Sequence, residues 1–336
     1  MVDQNTDFFA YVDNFAKQST IDSICVFDNF KKESFVTIGI PTYKRALALR
    51  EAIESALNQI CDFSYKILVL DNNPERADET ELLMNEYAGK PVVSYYKNAK
   101  NLGMAGNWNR LVSLSNSEWV VLLHDDDLIA PCFLTDMLNV AKRYNADAVN
   151  SAFKFWHESE EPCPVFDNDN KCYNVIQSSL GANFFYNRAG MPSGILWRRS
   201  VYIEEGGVNE DYYPALDWVF NSLLSYKHRF LLYQKELTIY RYAMNTYLKK
   251  ETIEAYLPID YSFRQYVGRL LNYPQWFVNM YSKMQTSIGI SRLSVKSFRM
   301  YGKNIKPLNV LSSFIYKVIT KGFSFFYDRI NSIGAV

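Results

Sequence analysis

No apolar run in this 336-residue chain approaches the roughly 20 residues that a membrane-spanning helix needs, which excludes a helical span of the bilayer. The first residues, Met1-Val2-Asp3-Gln4-Asn5-Thr6-Asp7, have neither the positive start nor the apolar stretch of a secretory signal, so the expected location is cytoplasmic. Cysteine is sparse and unpatterned. The five residues Cys25, Cys61, Cys132, Cys163 and Cys172 are odd in number and contain no CxxC pair, which argues for reduced thiols rather than a disulfide framework or a zinc site. Net charge is also missing, since 36 Lys and Arg balance 36 Asp and Glu, and no nucleic-acid recognition motif accompanies the basic residues, so no nucleic-acid partner is expected. The chain shows no repeat of fixed period and no low-complexity linker.

Aromatics, in contrast, are abundant at 16%, with 25 Tyr and 22 Phe, a surplus that serves core packing first and also flat ligands or membrane interfaces. Charge is unevenly placed. Residues 281–336 hold nine Lys and Arg against one acid, Asp328, so the rest of the chain is acidic by the same margin. Residues 1–33 mix aromatic, β-branched and polar residues at loosely helical spacing and read as an N-terminal helical arm. Strand and helix signals then alternate: strands at 35–40, 65–70, 92–96 and 119–123, helices at 46–59, 79–87 and 108–115. Such alternation predicts a parallel sheet wrapped by helices. A polar insertion between about 153 and 193 reads as a surface loop or lid, 217–224 as a helix, 228–240 as mostly strand, and the chain from about 251 as helical. Three regions follow: an arm over 1–33, a catalytic domain over 34–250, and a basic, aromatic helical region over 251–336.

The most informative stretch is Val120-Val121-Leu122-Leu123-His124-Asp125-Asp126-Asp127-Leu128-Ile129-Ala130-Pro131, where an apolar strand ends in three consecutive carboxylates. Ligands bind at the carboxyl edge of open α/β sheets, and hard oxygen donors suit Mg²⁺ or Mn²⁺, which also grip nucleotide phosphates. The same run also reads as a solvated acidic turn capping the helix that begins near Phe133.

Four motifs in order resemble those of family 2 glycosyltransferases of the GT-A fold, the bacterial polysaccharide type: Gly39-Ile40-Pro41-Thr42-Tyr43-Lys44-Arg45, Leu68-Val69-Leu70-Asp71-Asn72, the segment from Asn101 and Gly103 to Asn109, and His124-Asp125-Asp126-Asp127 in the place of the DxD signature. The resemblance covers about residues 34–250 and ends in Leu216-Asp217, in the place of a Glu-Asp pair. It implies a mixed, mostly parallel sheet flanked by helices, with N- and C-terminal helical extensions. It also implies a hexosyltransferase-like enzyme that moves a sugar from a UDP- or TDP-linked donor to a hydroxyl of a glycan or polyprenyl-linked acceptor, with inversion and with Mn²⁺ or Mg²⁺ as cofactor. On this reading Pro41, Thr42, Tyr43, Arg45, Asp71, Asn101, Gly103, Asn109 and Asp125 bind the nucleotide, Thr42 and Asp125 at the ribose and Asp71 at a uracil or thymine ring. Asp126 with Asp127 holds the metal, Arg241 meets the diphosphate, and Asp217 is the base that takes the acceptor proton.

The chain departs from the family pattern at three positions. His124 stands where many relatives have Asp, Leu216 replaces an acid, and Tyr240-Arg241-Tyr242-Ala243 lacks the His of a Tyr-Arg-x-His element. These departures keep open a noncatalytic sugar-nucleotide-binding scaffold of a glycan-assembly complex. A nucleotidyltransferase needs a glycine-rich phosphate loop after the first strand, and Pro41-Thr42-Tyr43-Lys44-Arg45 is not one. In the tail, Leu311, Phe314, Ile315, Val318, Ile319, Phe325 and Phe326 share a helical face beside Lys317 and Lys321. That face suits peripheral contact with an anionic inner membrane surface, or packing on the protein's own core.

Overall fold

The computed structural model describes residues 3–336 except 4, 31–32, 160, 168–170, 186, 188–192, 243–248, 294–297, 301–302 and 308–309. Ala243 and the turn at 190–192 therefore lie outside the described residues. One mixed sheet organises the molecule. Its strands are β1 (Ser23–Asp28), β2 (Val36–Thr42), β3 (Tyr65–Asp71), β4 (Val93–Asn98), β5 (Trp119–Leu122), β6 (Leu128–Ile129), β7 (Ala148–Trp156), β8 (Asn174–Gln177), β9 (Ile195–Arg198) and β10 (Phe230–Arg241). A short hairpin, β11 (Phe298–Met300) and β12 (Lys303–Ile305), stands apart, and β13 (Ser332–Ala335) returns to the sheet edge. The order is β1-β4-β3-β2-β5-β9-β7-β10-β8-β13, with β6 on β10. The central β4-β3-β2-β5 block is parallel throughout, as is the β7-β10 pair, while β1, β9, β8 and β6 run the other way.

The helices are α1 (Ala46–Leu57), α2 (Glu79–Asn85), α3 (Gly103–Leu114), α4 (Phe133–Tyr144), α5 (Leu180–Phe185), α6 (Arg199–Glu204), α7 (Leu216–Lys227), α8 (Lys250–Leu270), α9 (Gln275–Arg292) and α10 (Val310–Ile330). The two-residue period of the strands divides them into two layers. Ile67 and Val69 of β3 and Val121 of β5 face one core with α1, α2 and α4, whereas Leu68, Leu70, Val120 and Leu122 face the other with α3, α5, α7, α8 and α9. Both faces are covered, which explains why the strands read as continuous apolar runs. Gly39 marks the closest approach, for a Cβ there would sit 1.9 Å from the Leu111 side chain of α3.

Two regional expectations are corrected. Among its described residues the N-terminal arm holds a single 3₁₀ turn at Ala16–Gln18 and β1, which pairs antiparallel with β4, in place of the expected helix. Phe8, Phe9 and Phe15 pack on the second core, where the Phe8 ring lies 5.1 Å from that of Phe263. The boundary at 250 does not separate two bodies either. Helices α8 to α10 are present as predicted, yet they cover α5 and α7 directly: Tyr281 donates to the Phe185 carbonyl at 2.8 Å, and the Phe185 and Phe323 rings stack 4.1 Å apart. The last strand, β13, pairs with β8 inside the predicted insertion, which holds β8 and α5 rather than loop alone.

Arg264 of α8 fixes this layer. It is buried, ion-paired to Asp260 at 3.0 Å, hydrogen-bonded to the Phe184 carbonyl and placed over the Trp218 ring at 4.7 Å. Removing one member of a buried pair leaves the other charge without compensation. Arg264→Ala is expected to lower the unfolding free energy by about 3–5 kcal/mol, against at most about 0.5 kcal/mol for the exposed Lys250→Ala, measured by chemical denaturation.

Candidate active site

Strands β3, β2 and β5 lie side by side and end together, so the loops after Thr42, Asp71 and Leu122 open on one cleft of about 430 Å³. Pro41, Thr42, Tyr43 and Arg45 form one wall, Asn101, Gly103 and Trp108 a second, and His124, Asp125 and Asp126 the floor. Asp217, in the first turn of α7, closes the far side with Tyr213 and Leu216. Nine of the predicted site residues thus line a single cavity: Pro41, Thr42, Tyr43, Arg45, Asn101, Gly103, Asp125, Asp126 and Asp217.

The floor is electrostatically crowded. Thr42 Oγ1 donates to Asp125 Oδ2 at 2.8 Å, and Arg45 Nη1 reaches Asp125 Oδ1 at 3.3 Å and Asp126 Oδ2 at 2.8 Å. Burial pushes the Asp125 carboxyl up to about 6, the Asp126 charge adds to this, and Arg45 and Thr42 oppose it. Asp126 is raised as well, by burial and by the charge of Asp127. One guanidinium is thus shared by two of three adjacent carboxylates, and the site favours a further cation.

His124, a departure from the family pattern, belongs to this floor. Its ring lies 5.5 Å from that of Trp108 in a near-parallel stack, and its Nδ1 is 3.5 Å from Asp127 Oδ2. Burial opposes the imidazolium, but Asp127, Asp126 and Asp125 outweigh it and raise its pKa. His124 Nε2 and Asp127 Oδ2 are buried atoms without a hydrogen-bond partner. One ligand atom each from His124, Asp126 and Asp127 fall within 4.8 Å of one another. A nitrogen and two carboxylate oxygens at this spacing fit a divalent first-row cation such as Mn²⁺.

Asp217 stands in the first turn of α7, where a helix N-terminus favours the anion. Its carboxylate does accept from the backbone N–H groups of Trp218 and of Asp217 itself, yet loss of solvent dominates and pushes the group up to about 6, with His124 opposing. A base of that strength is mostly ionised at neutral pH and still accepts a proton readily.

Four predicted residues lie outside the cleft wall. Asp71 is fully buried, and its carboxylate accepts from Lys97 Nζ at 2.7 Å, Tyr95 OH at 2.9 Å and the Asn73 N–H at 2.9 Å. Those donors turn it inward, away from any base, because Lys97 is itself buried and requires counter-charges, which Asp71 and Asp78 supply. Asn109 is likewise structural: it clamps Val208 through both its amide groups, at 2.8 and 3.0 Å, and Gly207 (φ +73°) leaves room for it where a Cβ would stand 2.5 Å from its Oδ1. Arg241 is buried over the Trp156 ring and paired with Glu51 and, at 3.1 Å, with Glu158, so its guanidinium is committed there rather than to a diphosphate. Asp127 sits behind the floor, where it accepts from the Arg241 backbone N–H at 3.1 Å.

Several contributors were missed. Asn72 rather than Asp71 lines the cleft, and it anchors the second wall by donating to Asn101 Oδ1 at 2.7 Å and accepting from the Leu102 N–H at 2.8 Å. The order Asn72, Asn98, Asn101, Asn107 was visible as an excess of Asn around two loops, but its pairing is long-range. Tyr240 and Thr252 also line the cavity, and Thr252 lies on α8, beyond the boundary set at 250. Nothing in the local sequence signals that return. Tyr256, one turn further along α8, is partly buried near Asp217, and its phenol is held well above its usual pKa by loss of solvent and by the charge of Asp260.

Residues 37–191 match the model of glycosyl transferase family 2. A poly(ribitol-phosphate) β-N-acetylglucosaminyltransferase, TarP of Staphylococcus aureus, is 29% identical over 149 residues, 43% of this chain and 45% of that protein. The minor teichoic acid biosynthesis protein GgaB of Bacillus subtilis is 32% identical over 101 residues, 30% of this chain and 11% of that protein. The chain therefore spans less than half the length of these curated relatives. Among solved structures, S. aureus TarS 1-349 in complex with UDP-GlcNAc superimposes with a TM-score of 0.51 at 14% identity, covering 76% of this chain and 81% of that one, a likeness of fold. The motif order, the GT-A architecture and the match over residues 37–191 together make this chain similar to the family 2 glycosyltransferases.

Proposed function

We propose that the chain transfers a sugar, with inversion, from a nucleoside-diphosphate donor to a hydroxyl of a glycan or lipid-linked acceptor in bacterial surface polysaccharide synthesis, with Mn²⁺ or Mg²⁺ bound at the cleft floor. The observation that carries this reading is that one cavity is bordered by cation donors on its floor and by a carboxylate base on its far side. His124 and Asp126 would hold the ion, and the Asp127 carboxylate stands 3.5 Å behind the imidazole Nδ1, the position from which a carboxylate orients a ligating histidine. Asp127 was expected as a second carboxylate ligand, and its ligand atom lies within 4.8 Å of those of His124 and Asp126. A bound divalent ion neutralises charge on the departing diphosphate. Arg45 is the cation of this chain that reaches the same place, and it is free to exchange its carboxylate partners for phosphate oxygens. Asp217 takes the proton from the acceptor hydroxyl as that oxygen attacks the anomeric carbon from the face opposite the diphosphate, so configuration inverts. By their names TarP is a poly(ribitol-phosphate) β-N-acetylglucosaminyltransferase and GgaB a minor teichoic acid biosynthesis protein, and TarS was solved with UDP-GlcNAc, which makes UDP the first nucleotide to test and TDP the second.

Separate measurements test each part. Calorimetry with UDP and TDP, each with and without Mn²⁺, should show metal-dependent binding that weakens at least tenfold in Asp126→Ala; folded protein that binds no nucleotide would return the scaffold reading to first place. Asp217→Asn should bind nucleotide as wild type does but lose about 10²–10⁴ in kcat. With Mn²⁺ saturating, wild-type kcat should rise with pH through about 6 and then level, because the protonated carboxyl of Asp217 cannot accept a proton. Pulsed electron paramagnetic resonance of bound Mn²⁺ should show ¹⁴N coupling that His124→Ala abolishes, and Asp127→Asn should weaken Mn²⁺ by about 10–100-fold. Bound Mn²⁺ with no nitrogen coupling would remove His124 from the ligand set while leaving the transferase reading intact.

A further inference from the structure

The apolar residues of α10 were expected on one helical face, suited either to membrane or to core; the helix has two. Tyr316, Ile319, Phe323 and Tyr327 turn inward, where Tyr327 and Tyr273 share a hydrogen bond at 2.7 Å and Phe323 stacks on Phe185. Phe314, Val318 and Phe325 lie on the opposite face at 65%, 56% and 68% exposure. The i, i+4, i+11 spacing sets these three within about 40° of one another on a 100° per residue wheel. Lys321 falls within the stripe, with Lys317 on one flank and Arg329 on the other, all three exposed. On α9, Trp276, Met280 and Lys283 are likewise exposed. The side chains of 310–313 and 315, which include Leu311 and Ile315, lie outside the described residues.

A helix that has already buried one apolar face in its own core gains nothing for stability from a second in water. We propose that the outward face of α10 docks on the surface of an anionic phospholipid bilayer. Charge complementarity selects this occupant. Phe314, Val318 and Phe325 supply the groups that enter the acyl boundary, while Lys317, Lys321 and Arg329 lie at headgroup level, the pattern of an interfacial helix. The surrounding segment is basic far beyond these three, with nine Lys and Arg against Asp328 over 281–336. A second copy of the chain is the poorer occupant. Across a two-fold axis the stripe would meet itself, and Lys321, at its centre, would face Lys321 of the other copy. No described helix is long and apolar enough to cross a membrane, so the contact is peripheral. This proposal does not depend on the chemistry of the cleft.

The test is flotation of the full chain with vesicles of phosphatidylglycerol and phosphatidylcholine at 30:70, compared with phosphatidylcholine alone. Wild type should float with the anionic vesicles, at least about tenfold more than with neutral ones, and less in 0.5 M NaCl. Phe314→Ser/Val318→Ser/Phe325→Ser and, separately, Lys317→Glu/Lys321→Glu should each reduce the bound fraction about tenfold or more, with an unaltered thermal transition. Folded wild type that stays with the unbound fraction, or binding that survives both sets of substitutions, overturns the proposal. So does a concentration-dependent dimer, seen by light scattering, that the triple Ser variant abolishes, since the stripe would then belong to a second copy.

Discussion

Repulsion among carboxylates at the end of β5 is the constraint around which the cleft is arranged. Asp125, Asp126 and Asp127 are all buried, and burial together with mutual charge raises the first two. Asp125 sits at about 6 in the folded chain against roughly 3.9 when unfolded, so the native state holds the extra proton between those values and loses stability as pH rises through them. Arg45, the Thr42 hydroxyl and the His124 ring are spent on this imbalance. The ligand atoms of His124, Asp126 and Asp127 on this floor lie within 4.8 Å of one another, a donor set suited to a divalent cation.

The surrounding polar networks keep the floor in place. Lys97, with Asp71 and Asp78, ties the end of β3 to the start of α2, and the asparagines at 72, 98, 101 and 107 tie it to the start of α3. Residues that resemble ligand contacts are in part the scaffold for such contacts. Asp71, Asn109 and Arg241 illustrate this: each is a strong polar group at a motif position, and each is satisfied by protein partners away from the cavity. The C-terminal helices extend the same principle. Arg264 locks α8 against Trp218, the neighbour of Asp217, and α8 in turn presents Thr252 to the cleft.

The alternating apolar runs and the acids ahead of Pro131 determined the α/β class and the carboxyl-edge position of the site, because backbone periodicity and strand polarity are local properties of a chain, while nine of the wall residues were implied by the resemblance of the ordered motifs to a known family. The helical reading of the arm failed on equally local grounds. Its spacing was compatible with a helix, but the open edge of β4 offered β1 hydrogen bonds that no local propensity predicts. Tertiary structure alone decided which polar side chains face ligand and which face protein, since that depends on counter-charges distant in sequence, such as Lys97 for Asp71 and Glu158 for Arg241. It also decided that His124 joins the acids, that α8 completes the cavity, and that α10 has one apolar face committed to the core and another left in water. Burial sets each of these outcomes, and burial belongs to the packed molecule rather than to any stretch of it.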